Sequence, residues 1–123
     1  MTSDIILLKK NRMNPILKEF LEYLESEDEF SYKIRMERVW DGHKYEKYIS
    51  LLLRVIDSYR GTKIIPVSVV LFFTGLQHLI EQISHPNFFC NTDQPYRALV
   101  KKRKMELLEL RRKFCSGELF SAS

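Results

Sequence analysis

Residues 27–40, EDEFSYKIRMERVW, decide the fold class of this chain. Phe30, Tyr32, Ile34 and Met36 alternate with Ser31, Lys33, Arg35 and Glu37, the period-two pattern of a half-buried strand. Against this, Ser26 followed three residues later by Glu29 resembles a capping box, in which two side chains satisfy the free amides at a helix start. As a helix the segment gathers Tyr32, Met36, Val39 and Trp40 on one face. The helical reading is preferred and the strand is kept as the alternative.

The flanks are plainer. Asp41 and Gly42 break the chain, and Asp41 is placed to cap a helix over 43–60 that stops at Gly61. Tyr45, Tyr48, Ile49, Leu52, Val55, Ile56 and Tyr59 recur at spacings of three and four, with Leu51 and Leu53 widening the apolar face. On the other side, Asn14 and Pro15 open a helix ending near Ser26. Asn is a good N-cap, and Pro costs nothing at a first position whose N–H has no partner. Its apolar residues are Ile16, Leu17, Phe20, Leu21 and Leu24.

Residues 64–80 carry no charge. Pro66, Ser68, Thr74, Gln77 and His78 interrupt the stretch, whereas a spanning helix needs about 20 mostly apolar residues. The expectation is a core helix from Pro66 to about Ser84, not a membrane span, with a strand over 64–73 as the minority reading. Residues 85–95 read as a loop pinned by Phe88, Phe89 and Cys90. Thr92 or Asp93 then caps a helix over about 95–114. The fold class is therefore all-α: one domain over 1–123, a bundle of four to five helices, with an N-terminal arm at 1–13 and a frayed tail at 115–123. The alternative is α+β, with short strands from 30–36 or 64–73.

Charge is segregated along the chain. Residues 19–29 hold six acids (Glu19, Glu22, Glu25, Glu27, Asp28 and Glu29) and no base. Residues 97–113 hold eight bases and two acids, so a net charge of +4 conceals two opposed blocks. In the last helix Tyr96, Leu99, Val100, Leu107, Leu110 and Phe114 form the apolar stripe, with Arg103 projecting from its middle. A charge there must pair, because an isolated buried charge is very costly. The expected partner is an acid of the first helix or of residues 27–29, which makes Arg103 a candidate buried ion-pair centre. Glu106 and Glu109 are assigned to Lys102 and Lys113 by four-residue spacing. That leaves Arg97, Lys101, Lys104, Arg111 and Arg112 on one face without local acids.

Three readings of that face compete: a solvated surface, a dock for an acidic protein, and a phosphate-contacting surface for DNA or RNA. The acidic protein could be the 19–29 block of a second copy. No Asn or Gln accompanies the bases to read adenine edges, and no short preceding helix makes a helix-turn-helix. No catalytic constellation is recognised. Cys90 lies beside two phenylalanines, Cys115 has no obvious base, and no Gly-rich phosphate loop, GxSxG or HExxH motif occurs. The histidines lack metal-ligand spacing, so no metal and no cofactor is expected. Two cysteines are too few for a secreted disulfide framework and point to the cytoplasm. The functional expectation is a non-enzymatic regulatory binding protein, inhibitor-like, acting on a protein partner or as a homodimer through charge-complementary helix faces. The alternative is a sequence-nonspecific nucleic-acid binder. No small-molecule substrate is evident.

Overall fold

The computed structural model of the chain describes residues 14–85, 88–89 and 93–121. The N-terminal arm at 1–13, Cys90, Thr92 and the last two residues of the tail lie outside the described residues. Among the described residues five helices follow in order: α1 (Pro15–Leu24), α2 (Phe30–Glu37), α3 (Gly42–Ser58), α4 (Val67–Ile83) and α5 (Gln94–Ser116). No strand occurs among the described residues, so neither 30–36 nor 64–73 is extended. No helix among them is long and apolar enough to cross a membrane.

Each helix starts where its local chemistry permits. The Asn14 side chain accepts from the Leu17 amide at 2.7 Å, with Pro15 in the first turn. The Asp41 side chain accepts from the Lys44 amide at 3.1 Å and opens α3. The α2 cap differs from expectation: Ser26 does not cap a helix, and Glu29 is itself the N-cap. Its carboxylate accepts from the amides of Ser31 at 2.9 Å and Tyr32 at 2.6 Å, and from the Ser31 hydroxyl. The longer Glu side chain folds back to do what Asp or Ser usually does. At the other end Arg38 adopts a left-handed φ of 55°, a conformation that L side chains rarely hold.

Helix α2 runs only from Phe30 to Glu37, so Val39 and Trp40 lie beyond its end and the packed face is the i, i+4 pair Phe30 and Ile34. Phe30 and Ile34 point inward, while Met36 and Val39 are 66% and 40% exposed, so the expected Tyr32–Met36–Val39 face is not the packed one. Phe30 is fully buried and meets three rings: Trp40 at 4.7 Å and Tyr45 and Tyr48 at 5.3 Å each. Tilted and edge-on pairs of this kind contribute beyond their buried area.

Contact is densest between α1 and α3 and between α4 and α5, and α2 closes over α3. Phe72 joins the two pairs, with its ring 5.1 Å from Phe20 of α1 and 5.8 Å from Tyr48 of α3. Phe73 stacks on Phe114 at 4.2 Å, fixing α4 to α5. Leu53 and Leu99 fall outside the core, at 47% and 39% exposure. Residues 117–120 are not frayed. Gly117 turns the chain at a φ of 82°, Leu119 is buried, and the Phe120 carbonyl accepts from the Gly61 amide at 2.7 Å.

Two expectations follow. Glu29→Ala removes the buried acceptor of three hydrogen bonds, leaving the Ser31 and Tyr32 donors unpaired, and should cost about 2 kcal/mol in urea unfolding. A loss below about 0.5 kcal/mol would show that the cap does not hold α2. Asp41 is held below the usual carboxylate range, first by the Lys44 amide and then by the Lys33 side chain. A depressed folded pKa adds stability that is complete above the unfolded value of about 4 and disappears as pH falls through the folded one. Asp41→Asn, which keeps a capping oxygen, should therefore narrow the stability difference between pH 7 and about pH 2.5, with little change in the acid limb.

Candidate partner-binding groove on the basic helix

Helix α5 is held by its first turn. Its N-cap carbonyl at Asp93 accepts from the Arg97 amide at 2.9 Å. The Tyr96 hydroxyl accepts from the backbone amide of Trp40 at 2.8 Å, tying α5 to the link between α2 and α3. Phe89 stands edge-on to Tyr96 at 5.8 Å and to Trp40 at 6.3 Å.

These contacts leave a groove of about 270 Å³ between the end of α4, Phe89 and the first three turns of α5. Ile83, Phe89, Tyr96 and Val100 supply its apolar surface, and Arg97, Lys101 and Lys104 supply cations. The three recur at i, i+4 and i+7 and so share one side of the helix. None has an acidic partner among the described residues. Ser84 and His85 complete the lining.

The other predicted residues divide. Arg111 has no acidic partner among the described residues and lies further along α5, beside Met105 and Leu108. Arg112 departs from expectation. It pairs with Glu109 at 2.8 Å and with Glu118 at 3.4 Å, which raises its own pKa and lowers that of Glu109. Glu109 thus serves Arg112 and not Lys113. These groups are half exposed, and such pairs contribute little.

Arg103 is an ion-pair centre, but with partners other than those expected and at a partly exposed position. Its guanidinium reaches Glu46 of α3 at 2.9 Å and Glu106 of its own helix at 3.0 Å, and lies 5.1 Å from the centre of the Tyr45 ring. Tyr45 donates its hydroxyl to Glu106 at 2.7 Å. Burial, and then that hydrogen bond to an anion, push the Tyr45 pKa far up. Glu106 is therefore spent on Arg103 and Tyr45, not on Lys102.

Half of the acidic block is engaged within the fold. Glu19 pairs with Arg54 at 3.4 Å, and Asp28 with Lys44, whose ammonium lowers the Asp28 pKa by hydrogen bond and charge. Glu29 is 1% exposed, with the Arg35 guanidinium 3.8 Å away, so it cannot join an exposed docking face. Glu22, Glu25 and Glu27 remain exposed. None of the ion pairs among the described residues joins this block to α5. Tyr23 sits below it, its pKa pushed up to about 12 mainly by burial.

Among the described residues no group of three or more His, Cys, Asp or Glu side chains could hold a metal ion. Cys115 is a free, exposed thiol. The cations at 97, 101 and 104 were legible from spacing. The floor was not, because it joins Ile83 at the end of α4 and Phe89 to Tyr96 and Val100 of α5, residues that no single helical period links. No protein-family model, curated protein or solved structure matches this chain.

This division of the cations has a measurable consequence. Arg103→Ala should cost about 1 kcal/mol, because it leaves Glu46 and Glu106 unpaired at a partly buried site. Lys101→Ala should lie within about 0.5 kcal/mol of wild type in the same urea titration. Equal losses would mean that the two residues do not differ in structural role.

Proposed function

We propose that this chain is a non-enzymatic protein-binding regulator that docks an acidic partner surface on the α5 groove. The observation that carries this reading is the convergence of Arg97, Lys101 and Lys104 on an apolar floor, with no ion pair to any of the three among the described residues. Apolar floors hold anchor side chains, and unpaired cations at a rim steer and orient a complementary surface. The partner element is an acidic segment with one aliphatic or aromatic side chain that enters between Phe89 and Val100. An inhibitor-like protein works this way, by occupying its target. The acidic block of a second copy fits less well, because Glu19, Asp28 and Glu29 are engaged within their own chain. A reducing, cytoplasmic setting accords with the exposed thiol of Cys115.

Nucleic-acid binding is the second reading. Arg111 extends the cation row to about 21 Å along α5, a track suited to phosphates. Against it, phosphates gain nothing from an apolar floor. The Tyr96 ring is also engaged edge-on with Phe89 and is a poor stacking platform.

Fluorescence anisotropy separates these readings. Labelled acidic peptides with a central Phe or Leu should bind at about 50 mM salt and weaken moderately at about 200 mM. The double reversal Lys101→Glu with Lys104→Glu should reduce their affinity at least about tenfold. Val100→Thr, which is isosteric and adds no charge, should also weaken binding. Duplex DNA, single-stranded DNA and RNA should bind weakly. Tight nucleic-acid binding that collapses over the same salt range would replace this function with the second.

A further inference from the structure

The hydroxyl of Tyr48 is a polar group for which the fold has no use. Its ring is held by Phe20 at 6.4 Å, Phe30 at 5.3 Å and Phe72 at 5.8 Å, and the residue is 2% exposed. Its oxygen makes no hydrogen bond among the described residues. The buried side-chain polar atoms sealed in without a partner are Trp40 Nε1 and Ser68 Oγ. The Tyr48 hydroxyl is not one of them, so the little exposure this residue keeps lies at its oxygen. Tyr48 lines a groove of about 280 Å³ between α4 and the α1–α2 region, and the hydroxyl opens there. An unpaired hydroxyl in an apolar setting is costly, and one fixed by three rings is already oriented for a partner from outside. Burial, and then the charge of Glu29, push the Tyr48 pKa well up, so the group keeps its proton and remains a donor.

The groove supplies the rest of a site. Leu24, Leu71, Leu76 and Leu79 give it an apolar wall, and Glu29 lines it with a buried carboxylate. Glu29 Oε1 accepts from the Ser31 hydroxyl and the Tyr32 amide, whereas Oε2 accepts from the Ser31 amide alone. A carboxylate oxygen has two lone pairs, so Oε2 can take a second donor. The Arg35 guanidinium lies 3.8 Å from Glu29 and also lines the groove, so its two opposite charges offset one another. A free anion would meet Glu29 and a free cation would meet Arg35, which selects an uncharged ligand. Tyr48 donates and Glu29 accepts, and a hydroxyl is the simplest group that satisfies both. Size sets the remainder. A dry cavity of about 150 Å³ holds a benzene ring, so a groove of about 280 Å³ takes one ring with a substituent.

We propose that this groove is a binding site for a small uncharged molecule that carries one ring and a hydroxyl. The ring lies against the leucines of α4, and the hydroxyl accepts from Tyr48 and donates to Glu29 Oε2. The site shares no lining residue with the α5 groove, so ligand and protein partner occupy separate surfaces.

A titration of the isotopically labelled full chain, followed by amide chemical shifts, tests this with phenol, anisole, toluene and benzoate up to about 5 mM. A pH of about 8 keeps an ordinary histidine neutral, which removes any charge on His78 of the α4 wall. Phenol should bind saturably with a dissociation constant of about 1 mM and shift the amides of Ser31, Tyr32 and Gly75. Anisole and toluene, which cannot donate to Glu29, should bind at least about threefold more weakly, and benzoate should not bind. Tyr48→Phe removes no hydrogen bond of the fold and should stay folded. It should weaken phenol about threefold to tenfold and leave toluene no weaker, a split that a general loosening of the groove would not produce. Four results would each overturn the proposal: no saturable shift at these amides, shifts confined to Tyr96, Val100 and Lys101 of the α5 groove, toluene or benzoate binding as tightly as phenol, or Tyr48→Phe leaving phenol unchanged. Peptide binding at α5 is read separately and can fail while this site stands.

Discussion

The buried carboxylate of Glu29 is the constraint on which the rest of this structure depends. By folding back onto the amides of Ser31 and Tyr32 it makes Phe30 the first residue of α2, and so turns that ring into the space between α2 and α3. Phe30 then organises Trp40, Tyr45 and Tyr48 around itself. The backbone amide of Trp40 in turn donates to Tyr96 and sets where α5 begins. A carboxylate remote from the groove thus determines the position of the groove's floor. The cost of burying Glu29 is offset by three hydrogen bonds and the nearby guanidinium of Arg35, the usual condition for tolerating such a charge.

The segregation of charge resolves into two separate uses. The acids at 19 and 28 neutralise bases of α3, a local matter between neighbouring elements. The bases of α5 divide into Arg103, which ties α5 to α3, Arg112, which pairs with acids near the end of its own helix, and those at 97, 101, 102, 104, 111 and 113, which have no ion pair among the described residues. Linear charge counting cannot make this division, because it turns on which acids the bundle brings near. Glu46, the acid that matters most to Arg103, sits 57 residues away in an unremarkable part of α3.

How much was legible in the sequence follows the same logic. Periodicity located α3 and α4 with their buried faces nearly complete, since an apolar stripe over 17 residues has one way to pack. The caps at Asn14 and Asp41 were legible because their bonds span three residues. The α2 cap was not. Ser26 and Glu29 satisfy the capping-box pattern, and only the tertiary pull of Phe30 into the aromatic cluster selects Glu29 as the cap. Met36 was grouped with Val39 and Trp40 on one helix face, but the left-handed turn at Arg38 ends α2 before those two residues and leaves Met36 exposed. The tail at 115–123 was read as frayed, yet the Gly61 amide donates to the Phe120 carbonyl and holds residues 117–120 against the bundle. Of the site, the cations were readable from their spacing, whereas the floor combines residues of α4, α5 and Phe89 between them, a juxtaposition no periodicity encodes.

The single tryptophan of the chain occupies a position with an unplanned use. The Trp40 indole is buried at 5% exposure against Phe30 and Tyr45, and also faces Phe89, which lines the α5 groove. Its excited state therefore borders both the aromatic core and the wall of the groove. One chromophore, fed by energy transfer from the neighbouring tyrosines, reports two events: the loosening of the core and the displacement of the groove wall.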